Sequence, residues 1–132
     1  MDLDIVVSSI LVVHGFSVSD AVLSVRAEKV ARIDFHPPGI LLYAELDIDR
    51  GFAYNENIHV NPTIRKHGIG TRLVAALEAI CREARLTVLI NNNRNPDFWR
   101  RNGYLRLNPF LQMRLGRRLA IGFDGPGMYK RP

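Results

Sequence analysis

The sequence predicts an α/β fold of the α+β type: a mixed central sheet with helices packed on its faces. Residues 57–90 read as strand, glycine-containing loop, long helix and strand. Two parallel strands need such a crossover, and it is right-handed. Ile40–Leu46 and Gly51–Val60 read as antiparallel strands around an acidic turn at Asp47–Gly51. The size and composition also fit. The chain has 132 residues, 47% hydrophobic and 23% charged, as in a globular protein of one domain.

Taken in order, residues 1–18 are apolar and β-branched, with Ile5-Val6-Val7 and then Ile10 to Val13. They predict one or two strands. Ser19 and Asp20 resemble a helix start, and Val22, Val25, Val30 and Ile33 fall roughly on one helical face. Pro37-Pro38-Gly39 ends that helix. After the two antiparallel strands, Pro62 to Gly68 forms a loop. Ile69, Leu73, Leu77, Ile80 and Ala84 make a helical stripe. Leu86–Ile90 is a short apolar strand. A short helix over Asp97–Asn102 is closed by Gly103. Leu105–Asn108 and Phe110–Leu115 read as a terminal hairpin about Asn108-Pro109, and residues 116–132 give no clear element.

Several classes are excluded by composition. The single cysteine, Cys81, cannot form an internal disulfide, and no Cys/His spacing resembles a zinc site. The longest apolar stretch, Ile5 to Val13, is interrupted by Ser8 and Ser9 and is too short to span a bilayer. Met-Asp-Leu-Asp at the N-terminus is acidic where a signal peptide is basic. These features lead us to expect a cytoplasmic protein with no membrane partner. The charge is lopsided: residues 1–57 carry 4 basic and 9 acidic groups, and residues 58–132 carry 14 basic and 4 acidic groups. That split suggests two ligand chemistries on one body.

The sequence Arg65-Lys66-His67-Gly68-Ile69-Gly70-Thr71 stands between a strand and a helix start. The first amides of a helix lack internal partners, and with the helix dipole they form an anion site. Gly68 and Gly70 remove side chains where a phosphate approaches the backbone. Arg65 and Lys66 add positive charge. A dinucleotide fingerprint fails, because Leu73 stands at the third glycine position. The nucleotide P-loop pattern is absent as well. The competing reading is a plain solvated loop that happens to hold two glycines.

The wider stretch Ile58-His59-Val60-Asn61-Pro62-Thr63-Ile64-Arg65-Lys66-His67-Gly68-Ile69-Gly70 resembles the pyrophosphate-binding motif of the GNAT superfamily of N-acetyltransferases. That motif is a strand ending in Val, then x-Pro-x-x-Arg-x-x-Gly-x-Gly/Ala. Downstream, Asn92 and then Phe98-Trp99-Arg100-Arg101-Asn102-Gly103-Tyr104 are similar to the family's Asn…Phe-Tyr-x-x-x-Gly-Phe signature. The resemblance covers residues 57–104. It implies a GNAT-like acyl-CoA N-acyltransferase fold over 1–132, with an acceptor-side segment (1–57), an acetyl-CoA-binding core (58–104) and a hairpin with a basic tail (105–132).

The resemblance also implies acetyl-CoA as co-substrate, with no metal. The pyrophosphate would lie on Arg65, Lys66, His67, Gly68, Ile69, Gly70 and Thr71. The parallel strands would splay, and the pantetheine arm would pair with the backbone near Ile58 and Val60. Asn92 and Trp99 would stand near the cofactor. The expected reaction is transfer of an acetyl group to a primary amine by direct attack, with the Val60 amide facing the developing oxyanion. Trp99 departs from the pattern, because it replaces the family's usual tyrosine acid and an indole N–H is no acid near neutral pH. Tyr104 and Tyr54 are the alternative acids.

The attacking amine needs a base. Simple alternation puts residues 54, 56, 58 and 60 on one face of the strand and His59 on the other. Glu56 is the candidate base, and a solvated strand-end charge is the other reading. His67 reads as a phosphate neighbour, His14 and His36 as structural or exposed, and Cys81 as core. Glu45, Asp47, Asp49 and Glu56 would form an acidic rim that attracts a cationic amine, either a small molecule or a protein lysine or N-terminus. The short first segment suggests an open acceptor side, or one completed in a homodimer. Two other functions stay on the list: an acetyl-CoA-binding regulatory module without turnover that binds a partner protein, and a nucleic-acid binder. For the latter no recognised motif is present.

Overall fold

The computed structural model describes residues 2–90, 95–119 and 127–132, with only the backbone of residues 66, 67, 89, 90, 118 and 119. Its elements are helix α1 (Leu3–Val13), strands β1 (Leu23–Arg26), β2 (Val30–Phe35), β3 (Ile40–Asp47) and β4 (Phe52–Val60), a 3-10 helix (Pro62–His67), helix α2 (Ile69–Ala84), strand β5 (Thr87–Ile90), helix α3 (Pro96–Arg101), strand β6 (Leu105–Arg106), helix α4 (Pro109–Leu119) and strand β7 (Met128–Lys130). The strands form one seven-stranded sheet in the order β1-β2-β3-β4-β5-β7-β6. Among the described residues, β4 and β5 are its parallel pair, and the other neighbours run antiparallel. The α/β class and the mixed sheet are therefore as the sequence predicts.

The core lies between the sheet and helices α1 and α2. Ala31, Ile33 and Phe35 of β2, and Leu42, Ala44 and Leu46 of β3, are buried on the helix-facing side. Leu73, Val74, Leu77, Ile80 and Cys81 of α2 meet them. On the opposite side a smaller cluster joins Phe52, Tyr54, Tyr129 and Leu115 of α4. Between α2 and β7, Lys130 Nζ donates to Glu78 Oε1 at 2.7 Å and Oε2 at 3.3 Å, and to the Asn102 carbonyl at 2.9 Å.

Three expectations are corrected. Residues 3–13 form a helix, not strands. Asp2 caps it, its side chain accepting from the Ile5 amide at 3.3 Å, and the buried Leu3, Val7 and Leu11 repeat every four residues. Residues 23–35 form the β1–β2 hairpin, not a helix. The alternation of Ala31, Ile33 and Phe35 buries one face at period two, which outweighs the loose helical spacing. Residues 105–115 do not form a hairpin. Asn108 caps a helix, accepting from the Leu111 amide at 2.7 Å, and Pro109 takes the first helical position. Strand β6 pairs instead with β7.

Candidate acyl-CoA site

The loop between β4 and α2 is built by local rules. Asn61 Oδ1 accepts from the Thr63 amide at 3.1 Å and the Thr63 hydroxyl at 3.0 Å, which turns the chain out of β4. The 3-10 helix, which carries the backbones of Lys66 and His67, then ends at Gly68 with φ +66°. A side chain there is strained, although an added Cβ would meet nothing within 4 Å. Gly68 precedes α2, and no side chain caps that helix or places an acid in its first turn. The amides of Ile69, Gly70 and Thr71 thus open on the loop. A Cβ at Gly70 would come within 3.3 Å of the Phe98 ring and 3.8 Å of Val60 Cγ2. Gly70 therefore lets α3 approach the loop. Arg65 Nε donates to the Val60 carbonyl at 2.8 Å and ties the loop to the end of β4.

Among the described residues, no strand pairs with the edge of β4 beside this loop. Pairing with β5 runs from Phe52–Thr87 to Asn55–Ile90, while β4 continues to Val60. The Asn61 amide donates to the Gly39 carbonyl at 2.7 Å. That bond makes Ile40–Val60 a non-hydrogen-bonded pair of the antiparallel ladder. The backbone groups of Ile58 and Val60 therefore face away from β3, into the gap beyond the last β4–β5 pair. Asn92 lies outside the described residues.

A β-bulge changes the faces of β4. Ala44 pairs with Asn55 and Tyr43 with Asn57, so Glu56 is the extra residue. Ala53, Asn55, Ile58 and Val60 share the helix-facing side, while Tyr54, Asn57 and His59 share the other. The expected common face for residues 54, 56, 58 and 60 is thus corrected: one inserted residue reverses the parity. Glu56 is exposed and lies close to Glu45, which is 3.7 Å from Arg32. Partial burial raises the Glu56 pKa above its ordinary value, the charge and hydrogen bond of Glu45 raise it further, and Arg32 opposes them.

The aromatic candidates lie elsewhere. Trp99 is buried, edge-on to Phe98 at 4.9 Å and to Tyr104 at 5.3 Å. Tyr104 is buried, and its hydroxyl has no hydrogen-bond partner among the described residues. Burial, with the charges of Glu78 and Cys81, pushes its pKa well up. Tyr54 packs with Phe52 on the opposite side of the sheet. The Cys81 thiol is buried and pushed up to about 12, as suits a core residue rather than a nucleophile. His14 Nδ1 is 2.8 Å from the Ile10 carbonyl, and His36 is exposed beside Asp34. Asp47 Oδ1 accepts from the Arg50 amide at 2.9 Å and shapes the β3–β4 turn.

Sequence reasoning passed over Phe98 as a wall of the loop, and Asn55. Phe98 stood in the quoted motif. The polar run Asn55-Glu56-Asn57, inside an otherwise apolar strand, was the available sign of a bulge.

The likeness to known proteins agrees with this geometry. Residues 28–104 match the acetyltransferase (GNAT) family. The chain belongs to the GNAT acetyltransferase family. Comparison with curated proteins gives no match. Among solved structures, N-acetylglutamate synthase from Neisseria gonorrhoeae, complexed with coenzyme A and N-acetyl-glutamate, is similar with a TM-score of 0.56 and 12% identity. The match covers 78% of this chain but 25% of that one, so this chain spans about a quarter of its length. A Klebsiella pneumoniae protein assigned as an acyl-CoA N-acyltransferase is similar with a TM-score of 0.59 and 18% identity, over 98% of this chain and 90% of that one. A Bacillus anthracis protein assigned as a streptothricin acetyltransferase, in complex with acetyl coenzyme A, gives 0.51 and 17%, over 78% and 62%. At these identities the likeness is one of fold. Among the described residues no group of three or more His, Cys, Asp or Glu could hold a metal ion, and no helix is long and apolar enough to cross a membrane.

Proposed function

We propose that this protein is an N-acetyltransferase that moves the acetyl group of acetyl-CoA to a primary amine by direct attack. The observation that carries this is the uncapped start of α2 beside the edge of β4 that no described strand pairs with. The amides of Ile69, Gly70 and Thr71 and the Arg65 guanidinium offer donors to a pyrophosphate, with Lys66 and His67 on the same loop. The pantetheine arm would then pair with the outward backbone groups of Val60 and Ile58 as an added strand. Val60 lies at the loop end of the gap. The thioester sits further in, so we assign the oxyanion to the Ile58 amide and the arm to Val60.

In the reaction the amine nitrogen forms a bond to the thioester carbon and the carbon–sulfur bond breaks. The proton of the attacking amine passes to Glu56, directly or through water. Its raised pKa brings that carboxylate nearer to an effective base. Burial and nearby charge raise the Tyr104 pKa and make it a poor acid, so we assign it no part in the departure of the thiolate. A thiol pKa of about 8.5 makes that departure feasible. Glu45 and Glu56 give the acceptor side negative charge, which favours a cationic amine on a small molecule or a protein.

The second reading, an acetyl-CoA-binding regulator without turnover, is favoured by Trp99 in the position of the family's tyrosine. One experiment separates the two. The protein is mixed with acetyl-CoA and a panel of small amines, polyamines and lysine peptides, and thiol release is followed. Release with at least one amine is expected. Tight binding with no release across the panel would establish the regulator. As a control, Gly68→Asp places a carboxylate against the phosphates and should abolish acetyl-CoA binding. Aspartate tolerates the left-handed backbone, so the variant should still fold. Retained affinity would refute the site.

A further inference from the structure

Among the described residues, Asn55 is the last of β4 to pair with β5, opposite Ile90, and it immediately precedes the bulge at Glu56. Its side chain is fully buried, at 0% exposure. Neither its Nδ2 nor its Oδ1 has a hydrogen-bond partner among the described residues. A buried amide in that state carries its full desolvation cost, whereas an apolar side chain of similar size carries none. The strand places it on the helix-facing side with Ile58 and Val60, at the closed end of the gap that those two residues border.

We infer that Asn55 is the polar floor of this gap and hydrogen-bonds the acyl end of the bound thioester, so that the site distinguishes acyl-CoA from free CoA. The inference rests on the acyl-CoA reading above. Arg65 fixes Val60 beside the phosphate loop, and Asn55 lies five strand residues further in, ~17 Å at ~3.3 Å per residue. An arm that starts on the loop and runs along Val60 and Ile58 brings its acyl end to the closed end of the gap. A thioester carbonyl oxygen accepts hydrogen bonds and donates none, so Nδ2 is the atom that matches it. Free CoA ends in a thiol and offers no carbonyl there. After transfer the spent cofactor loses this bond, which favours its release.

The test compares dissociation constants of acetyl-CoA and CoA, by titration calorimetry, for the wild type and Asn55→Leu, with melting temperatures of the free proteins. The wild type should bind acetyl-CoA roughly 3–10-fold more tightly than CoA, the worth of one neutral hydrogen bond. In Asn55→Leu that ratio should fall to about 1 while CoA affinity stays within about 2-fold. The free variant should melt no lower than the wild type, because an unpaired buried amide has been removed. An unchanged ratio in the variant would overturn the role of Asn55 alone. So would a lowered melting temperature in both Asn55→Leu and the smaller Asn55→Ala, since that would mean the amide is bonded within the free fold. Failure of the wild type to bind either ligand would overturn the acyl-CoA reading, and this inference with it.

Discussion

The Arg65 side chain closes onto the carbonyl of Val60 at 2.8 Å. Val60 ends the strand that borders the gap, and Arg65 belongs to the 3-10 helix that leads into α2. A single bond thus fixes the strand edge relative to the helix amides. It uses only Nε, so the two terminal nitrogens of the guanidinium keep their donors for an anion.

Arg65→Ala should therefore weaken acetyl-CoA binding by roughly 10–100-fold, the range for a charge-assisted hydrogen bond. Arg65 is exposed, so the melting temperature should hardly move. Arg65→Lys should fall between the two, because an ammonium cannot hold the carbonyl and a phosphate in one planar fork. Calorimetric titration and a thermal melt read both quantities. A large loss of stability with unchanged affinity would mean that the residue only staples the loop.

Trp99→Tyr should not raise turnover. The ring is enclosed between Phe98 and Tyr104, so a tyrosine hydroxyl placed there would sit in the core, away from the leaving sulfur. The smaller side chain should cost on the order of 1–2 kcal/mol of stability. The rate of thiol release and a denaturant titration check the two parts. A tenfold gain in rate would show that the position reaches the sulfur after all.

The strand, loop, helix and strand elements over residues 40–90, and the short helix that Gly103 closes, are legible in the sequence because their signals are local. The stripe from Ile69 to Ala84 and the glycines at 68 and 70 each fix a short stretch by spacing alone. The first 36 residues are harder to read, because a β-branched composition masks the cap of a helix. Asp2, with Asp4 in the first turn, is a helix start that Ile5-Val6-Val7 obscured. Asn108-Pro109 carries the same ambiguity, since both residues favour turns and helix starts alike.

The candidate site was legible in its loop and not in its strand. Alternation assigns faces only while the register is unbroken, and the bulge at Glu56 breaks it. The grouping of Asn55 with Ile58 and Val60 on the helix-facing side follows from that one extra residue. The Glu78–Lys130 pair was out of reach for another reason, because the two residues are 52 positions apart and meet only once β7 has joined the sheet.

The neighbourhood of Glu56 gives a pH signature. In the fold its pKa lies above the ordinary 4.5, mainly through burial and then through Glu45, with Arg32 opposing. A raised carboxyl pKa means that the fold favours the protonated form. That contribution to stability is full below about pH 4.5 and is lost as pH rises through the raised value. Activity runs the other way, because a base must be a carboxylate, so the rising limb of kcat/KM should lie above pH 4.5. Glu45→Gln removes the neighbouring charge, so the limb should move to lower pH and stability near pH 7 should rise relative to pH 4. Arg32→Ala removes the opposing cation and should move the limb to higher pH. Glu56→Gln should lose the limb and roughly 100–10,000-fold of the rate. Rate profiles and melts across pH 4–9 test all three variants. A limb that stays in place in Glu45→Gln would show that Glu56 does not take the proton.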